Sequence, residues 1–94
     1  GEYSQALAYY TEILAISVQM NYPSRQADAL YNIGFLYIEL GDLDKARQHL
    51  HDALVICREI DAKDLLYTIL LHFAYWLART GQMTLSIQVF QLAV

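Results

Sequence analysis

Apolar residues recur at intervals of three and four along nearly the whole chain, and no stretch alternates between apolar and polar residues as a half-buried strand would. Turn-forming residues interrupt this pattern at 21–24, 41–42, 61–62 and 80–81. The pattern therefore predicts an all-α fold with short linkers, which favour antiparallel packing of successive helices. We expect five helices, near residues 2–20, 24–40, 42–60, 62–80 and 82–94.

The same phrase opens at Gly1, Gly41 and Gly81, so the chain repeats with a period of 40 residues. A fixed period of this size is typical of stacked helical repeats, which form an α-solenoid. Each glycine marks the turn inside a helix pair. The chain is therefore expected to contain the second helix of one repeat (1–20), a complete repeat (24–60) and a truncated repeat (62–94).

The residues at the predicted turns have known roles at helix ends. Gly41 and Gly81 are expected to adopt the left-handed conformation that closes a helix. Asp42 is expected to cap the helix that follows. Asp61 with Asp64 three residues later resembles a capping box. The other predicted helix-end residues are Pro23, which ends one helix and begins the next, and Ser24, a further N-cap.

Gly34 lies inside a predicted helix, where a glycine costs roughly 1 kcal/mol relative to alanine. Ala74 is the equivalent residue of the next repeat. We therefore expect a side chain of the paired helix to occupy the space of the methyl group that Gly34 lacks.

The positions shared by the repeats resemble a tetratricopeptide repeat. The middle repeat matches best, through Leu30, Ile33, Gly34, Tyr37, Gly41, Leu43, Ala46, Leu50 and Ala53. The last repeat departs from the pattern, with Ala74 for glycine, Leu77 for tyrosine and Ser86 for alanine, and Arg58 replaces the usual proline at the repeat end. The period of 40 exceeds the usual 34, and in this respect the chain is similar to the repeats of kinesin light chains and of bacterial signal-transduction ATPases and regulators.

The resemblance implies that the first helix of each pair lines a concave face that binds a protein or peptide segment. The motif residues point into the stack, so the positions between them form the binding stripe. On the helix 24–40 these positions are Asp28, Tyr31, Asn32, Phe35, Ile38 and Glu39. On the helix 62–80 they are Thr68, Leu71, His72, Tyr75, Ala78 and Arg79.

Two readings remain open for the most distinctive residues of this stripe. In related repeats an asparagine at the place of Asn32 clamps a peptide backbone, but a solvated Asn or one that bridges helices has the same sequence signature. Phe35 and Tyr75 either anchor a ligand or pack between adjacent helices. Glu39 and Arg79 occupy equivalent positions, so they either meet charges of a ligand or pair with each other.

The composition narrows the class of partner. Apolar residues make up 56% of the chain and charged residues 17%, with a net charge of −4 and no basic cluster. Nucleic acids and anionic membranes are therefore poor candidate partners. The longest apolar stretch, 65–78, is shorter than the roughly 20 residues of a membrane span. No secretory leader is visible, and a single cysteine, Cys57, is read as a packing residue in a reducing cytoplasm.

No arrangement of residues predicts catalysis, a cofactor or a metal site. His49 and His51 face different sides of a helix, and His72 has no neighbour at ligand spacing. The leading hypothesis is a protein- or peptide-binding scaffold, with a signalling role suggested by the resemblance. The alternative is a structural or sensor segment of a longer solenoid. On that reading the isolated chain forms homo-oligomers through exposed apolar terminal helices, with Tyr3, Tyr10, Phe90 and Val94 otherwise facing water.

Overall fold

Four α-helices follow one another in the computed structural model, which describes residues 1–82, 85, 87–88 and 91. They are α1 (Glu2–Gln19), α2 (Pro23–Leu40), α3 (Leu43–Glu59) and α4 (Lys63–Arg79). The described part of the chain contains no strand. The all-α prediction is confirmed, and four predicted helices agree with the structure to within one residue at each end. The fifth, predicted near 82–94, falls mostly outside the described residues, as do Phe90 and Val94.

The four helices end in the same way, at residues 20 positions apart. Asn21, Gly41, Asp61 and Gly81 have φ angles of 52°, 87°, 53° and 85°. At Gly41, the amide of the next residue donates to the Tyr37 carbonyl at 2.9 Å and the Gly41 amide donates to the Ile38 carbonyl at 3.1 Å. Equivalent pairs of bonds close the other three helices. These bonds satisfy carbonyl groups that a helix end leaves without partners, and they confirm the predicted roles of the two glycines.

The predictions for helix starts are only partly correct. Asp42 caps α3, because its carboxylate accepts a hydrogen bond from the backbone N–H of Lys45 at 3.2 Å. Asp61 does not cap α4: its backbone is left-handed and closes α3, and Ala62 precedes the first turn of α4 without a side-chain cap. Ser24 does not cap α2 either. The proline before it is already the first helical residue, so Ser24 lies inside the first turn.

The helices form two layers. Each helix packs against its neighbours in the chain, and α2 also contacts α4, whereas α1 and α3 are not in contact. The first helices of consecutive pairs, α2 and α4, therefore lie side by side in one layer, and α1 and α3 form the other. This is the arrangement expected of stacked helix pairs.

The core lies between the layers. One group of buried side chains joins α2, α3 and α4 through Leu30, Ala53, Cys57 and Ile69. A second group consists of Ile38, Ala46 and Leu50. At Gly34, an added Cβ atom would lie 2.8 Å from Cγ of Leu50 and 3.3 Å from the Ala46 carbonyl oxygen. The predicted close approach is therefore present, and its occupant is Leu50.

Cys57 is a packing residue, as predicted. Its side chain is 1% exposed, and its thiol donates to the Ala62 carbonyl oxygen at 2.9 Å. Burial raises the pKa of this thiol. None of the helices in the described residues has the length and apolarity that a membrane crossing requires.

Candidate functional site

Most of the predicted binding residues of α2 and α4 come together where the two helices lie side by side. We call this surface the α2–α4 face. Rings of α2 and α4 form a row along it: Tyr31 meets His72 edge to face, with centroids 4.9 Å apart. Phe35 meets the same imidazole at 5.9 Å and stacks on Tyr75 at 5.9 Å with an interplanar angle of 29°. Such pairs are the preferred geometries of aromatic groups, so the row is an ordered surface.

A shallow apolar depression lies at the centre of the α2–α4 face. It has a volume of about 230 Å³ and is lined by Phe35, Leu71, His72 and Tyr75. All four side chains are half-buried, so they pack against each other and still meet solvent. The two readings of Phe35 and Tyr75 are therefore compatible: the rings pack between helices, and one side of the packed pair stays open.

His72 presents a defined hydrogen-bonding edge to this depression. Its Nδ1 lies 2.8 Å from the carbonyl oxygen of Thr68, one turn earlier in α4. A carbonyl oxygen only accepts, so Nδ1 carries the proton of the neutral imidazole and Nε2 is an acceptor. Thr68 itself donates to the Asp64 carbonyl at 3.2 Å, so its hydroxyl is engaged within its own helix.

One end of the face is a network of charged and hydroxyl groups around Glu39. Its carboxylate accepts a hydrogen bond from the Tyr75 hydroxyl and lies 3.7 Å from Nη1 of Arg79. Arg79 in turn donates to the Tyr75 oxygen at 2.8 Å. The hydrogen bond to Glu39, followed by burial, raises the pKa of Tyr75. Glu39 and Arg79 therefore pair with each other, and the site has little net charge at this end.

Tyr3 of α1 also reaches this network, with its hydroxyl 3.5 Å from the Glu39 carboxylate. The sequence reasoning missed this residue. The 40-residue period aligns Tyr3 with Leu43, so its position carried no signal of a polar contact.

The other end of the face is formed by Asp28, Tyr31 and Asn32. Burial, followed by a hydrogen bond with Asp28, raises the pKa of Tyr31 to about 12. The Asn32 amide donates to the Asp28 carbonyl oxygen at 2.8 Å, so one of its N–H groups is used within α2. Part of the Asn32 side chain is therefore occupied by a hydrogen bond within its own helix. The same amide also interacts with the Tyr31 hydroxyl, so the Asn32 carbonyl oxygen is the group best able to contact a ligand.

One residue predicted for this face, Ile38, lies elsewhere. Ile38 is fully buried in the core beside Leu50, because it points toward α3 and not toward solvent. Arg25 is remote from the aromatic row, and its guanidinium lies 5.7 Å from the ring centroid of Tyr22 in the α1–α2 turn.

The histidines of α3 do not form a site with their neighbours. His49 packs on Tyr37 of α2, with Nδ1 at 2.7 Å from the Lys45 carbonyl, while His51 is exposed. Among the described residues, no group of three or more His, Cys, Asp or Glu side chains could hold a metal ion.

A larger cavity than this depression lies away from the α2–α4 face. It has a volume of about 410 Å³ and lies between α1 and the start of α2, near the α1–α2 turn. Its lining is mainly apolar, and we name it the α1 groove: Tyr9, Ile13, Ile16, Ser17, Met20, Tyr22 and Arg25.

Comparison with protein families gives one match. The family described as tetratricopeptide repeat matches residues 25–94, which is most of the chain and includes α3, α4 and all but the first two residues of α2. The chain belongs to the tetratricopeptide repeat family. Tetratricopeptide repeats are in general non-enzymatic scaffolds that bind proteins or peptides. No curated protein and no solved structure matches the chain.

Proposed function

We propose that this tetratricopeptide repeat segment binds an extended peptide on the α2–α4 face. The observation that supports the proposal is the open apolar depression between Phe35, Leu71, His72 and Tyr75, with hydrogen-bonding groups at both ends. An apolar depression flanked by a few polar groups is the usual form of a recognition site. We infer that an apolar side chain of the peptide enters the depression.

The backbone of the peptide would be held by polar groups beside the depression. Asn32 offers its carbonyl oxygen, and Nε2 of His72 offers a second acceptor. An extended peptide has alternating N–H and C=O groups that need such partners. Asn32 and His72 therefore form the proposed backbone clamp. In the neutral imidazole of His72, Nε2 can only accept a hydrogen bond from a peptide N–H.

The electrostatics of the face favour a peptide without a strong charge. Glu39 is paired with Arg79, and Asp28 lies beside the Tyr31 hydroxyl. A strongly acidic or basic ligand would have to replace these internal partners, which costs free energy. The proposed setting is a reducing cytoplasm, which agrees with a free and buried Cys57. A signalling role is part of the proposal through the likeness to regulator repeats.

A peptide library displayed on phage tests the proposal. Selection on the whole chain should enrich peptides with a common apolar anchor, and fluorescence polarisation should then give a Kd for one selected peptide. We expect Phe35→Ala and Leu71→Lys to weaken binding at least tenfold, because each changes the depression itself. Circular dichroism of each variant separates lost binding from lost folding.

The amide of Asn32 has a matched control in the same chain. Gln48 is an exposed amide residue on α3, away from the α2–α4 face. Asn32→Ala should weaken binding of the selected peptide and Gln48→Ala should leave it unchanged. If both variants, and Phe35→Ala, bind as the wild type does, the α2–α4 face is not the binding site.

A second role is favoured by an apolar surface on α1. Tyr9, Ile16 and Met20 are all exposed there, and such an apolar surface is unusual. In this role the chain is a structural segment whose outer helix faces associate. It does not compete with peptide binding, because the two surfaces are different.

A further inference from the structure

His72 is a titratable side chain at the centre of the α2–α4 face. It lines the apolar depression with Phe35, Leu71 and Tyr75, and two aromatic rings of α2 contact its imidazole. Histidine is the side chain that ordinarily changes its charge between pH 5 and pH 8. The depression therefore contains a group whose charge responds to mild changes of pH, at the place where the proposed peptide binds.

The hydrogen bond to Thr68 decides which nitrogen of His72 takes up the second proton. Nδ1 lies 2.8 Å from the Thr68 carbonyl oxygen, which can only accept, so Nδ1 carries a hydrogen in the neutral and in the protonated ring. The second proton must therefore bind at Nε2. No other described residue forms a hydrogen bond with His72, so Nε2 is available to a ligand.

On the basis of the proposed function, we propose that protonation of His72 controls peptide binding on the α2–α4 face, with the neutral form binding tightly and the protonated form weakly. Neutral Nε2 accepts a hydrogen bond from a peptide N–H, whereas protonated Nε2 is itself a donor and opposes that N–H. The apolar anchor of the peptide also removes water from the depression, which disfavours a positive charge there. Both effects lower the affinity as the pH falls.

The other charged and titratable groups near His72 act on it in the free and in the bound protein. On α2 and α4 these groups are Asp28, Tyr31, Glu39, Asp64, Tyr75 and Arg79. From α3, the core packed against α4 includes the thiol of Cys57, which stays neutral because burial raises its pKa. Since these groups are present in both states, the peptide itself sets the sign of the pH dependence.

The chain contains a natural guide to an uncharged variant and a matched control. Asn32 stands 40 residues before His72, at the equivalent place of α2, and its amide oxygen is an acceptor that does not titrate. His72→Asn therefore keeps an acceptor and removes the change of charge. His49→Asn is the control: Nδ1 of His49 also bonds to a carbonyl one turn earlier, at 2.7 Å, and the ring packs on Tyr37, but it lies on α3.

Fluorescence polarisation at two pH values tests the proposal. The probe is a peptide selected on the whole chain at pH 8, with blocked ends and no ionisable side chain, so that its own charge is constant. From pH 7.5 to pH 5.5 the Kd of the wild type should rise by about fivefold or more. His72→Asn and His72→Gln should bind equally at both pH values, and His49→Asn should keep the rise. Circular dichroism at both pH values confirms that each protein is folded.

Nitrogen-15 NMR of the histidine rings gives a test without a substitution in the face. The free protein should show His72 with its hydrogen on Nδ1, and saturating peptide should move the His72 titration to lower pH, because binding and protonation oppose each other. A His72 titration that the peptide leaves unchanged would overturn the proposal, as would an equal rise in Kd in His72→Asn.

Failure of the pH control can be told from failure of the peptide site. A peptide that Phe35→Ala weakens, but that binds the wild type equally at pH 7.5 and pH 5.5, refutes only the control by His72. A selection at pH 8 that gives no peptide weakened by Phe35→Ala refutes the proposed function, and the control by His72 falls with it.

Discussion

The contact between Gly34 and Leu50 leads to a prediction about helix packing. In the substitution Gly34→Ala, the new methyl group would lie 2.8 Å from Cγ and 2.9 Å from Cδ2 of Leu50. Unstrained carbon atoms approach to about 3.5–4.0 Å. Leu50 is fully buried and Cγ is its branch point, so the whole side chain must move into a packed core.

Two opposing effects decide how much Gly34→Ala changes the free energy of unfolding. Replacing a helical glycine by alanine gains about 1 kcal/mol in helix propensity. Overpacking a core typically costs about 1–3 kcal/mol, and the short contact with a buried branch point favours the upper half of that range. We therefore expect Gly34→Ala to lower the free energy of unfolding by about 1–2 kcal/mol. For a domain of this size, this corresponds to a decrease of about 5–15 °C in Tm.

The effect of Gly34→Ala on the free energy of unfolding should change sign when Leu50 is truncated. Leu50→Ala alone should cost about 2–5 kcal/mol, because it leaves a cavity. In that background the methyl group at position 34 no longer meets Cγ, so Gly34→Ala should be neutral or stabilising by up to about 1 kcal/mol. Urea unfolding followed by circular dichroism at 222 nm measures all four proteins. The reasoning is refuted if Gly34→Ala stabilises the wild type by the full gain in helix propensity.

Three further predictions concern polar groups. Asp42→Ala should lower the free energy of unfolding by about 1 kcal/mol in urea titrations, since the Lys45 N–H loses its acceptor, while Asp42→Asn keeps the cap; equal losses in the two would contradict the capping role. Tyr31 should titrate near pH 12 in carbon-13 NMR of labelled tyrosine, and the signal should be absent in Tyr31→Phe. The pKa of Tyr31 is raised above the ordinary value of 10.0, so the protonated hydroxyl contributes its full stabilisation of the folded state below pH 10. That contribution is lost as the pH rises toward 12. The free energy of unfolding of a Tyr31→Phe variant should therefore fall less over this pH range. A double-mutant cycle of Glu39→Gln and Arg79→Gln should give a coupling below about 1 kcal/mol that decreases with salt, because Arg79 is exposed; a larger coupling independent of salt would be inconsistent with a solvent-screened pair.

The helices and their turns could be predicted from the sequence because both depend on interactions between near neighbours. The apolar period sets each helix, and a left-handed residue every 20 positions ends it. Gly41 and Gly81 were visible as such residues, since glycine adopts positive φ without strain. Asp61 was not. Aspartate is common both at helix starts and in the left-handed region, and the closing bonds of α3 decided between the two.

The candidate site could be predicted as a set of residues but not as a set of contacts. Helical spacing places Asn32, Phe35, His72 and Tyr75 on two stripes, and the family resemblance brings those stripes to one face. Whether Phe35 meets Tyr75 or His72 depends on the relative rotation and crossing of α2 and α4, which are 40 residues apart in the chain. Ile38 was assigned to the wrong side for the same reason, because the orientation of α2 against α3 buries it.

The sequence by itself determined the all-α fold, the phase of the repeat and the close approach at Gly34, because periodicity and the absence of a side chain are local properties. The tertiary structure decided that Glu39 and Arg79 pair with each other, that Tyr3 joins them, and that the α2–α4 face is nearly neutral. It also showed that Tyr9, Ile16 and Met20 of α1 are exposed. These properties depend on how helices distant in the chain are arranged in space, and the sequence pattern of a single helix does not contain that information.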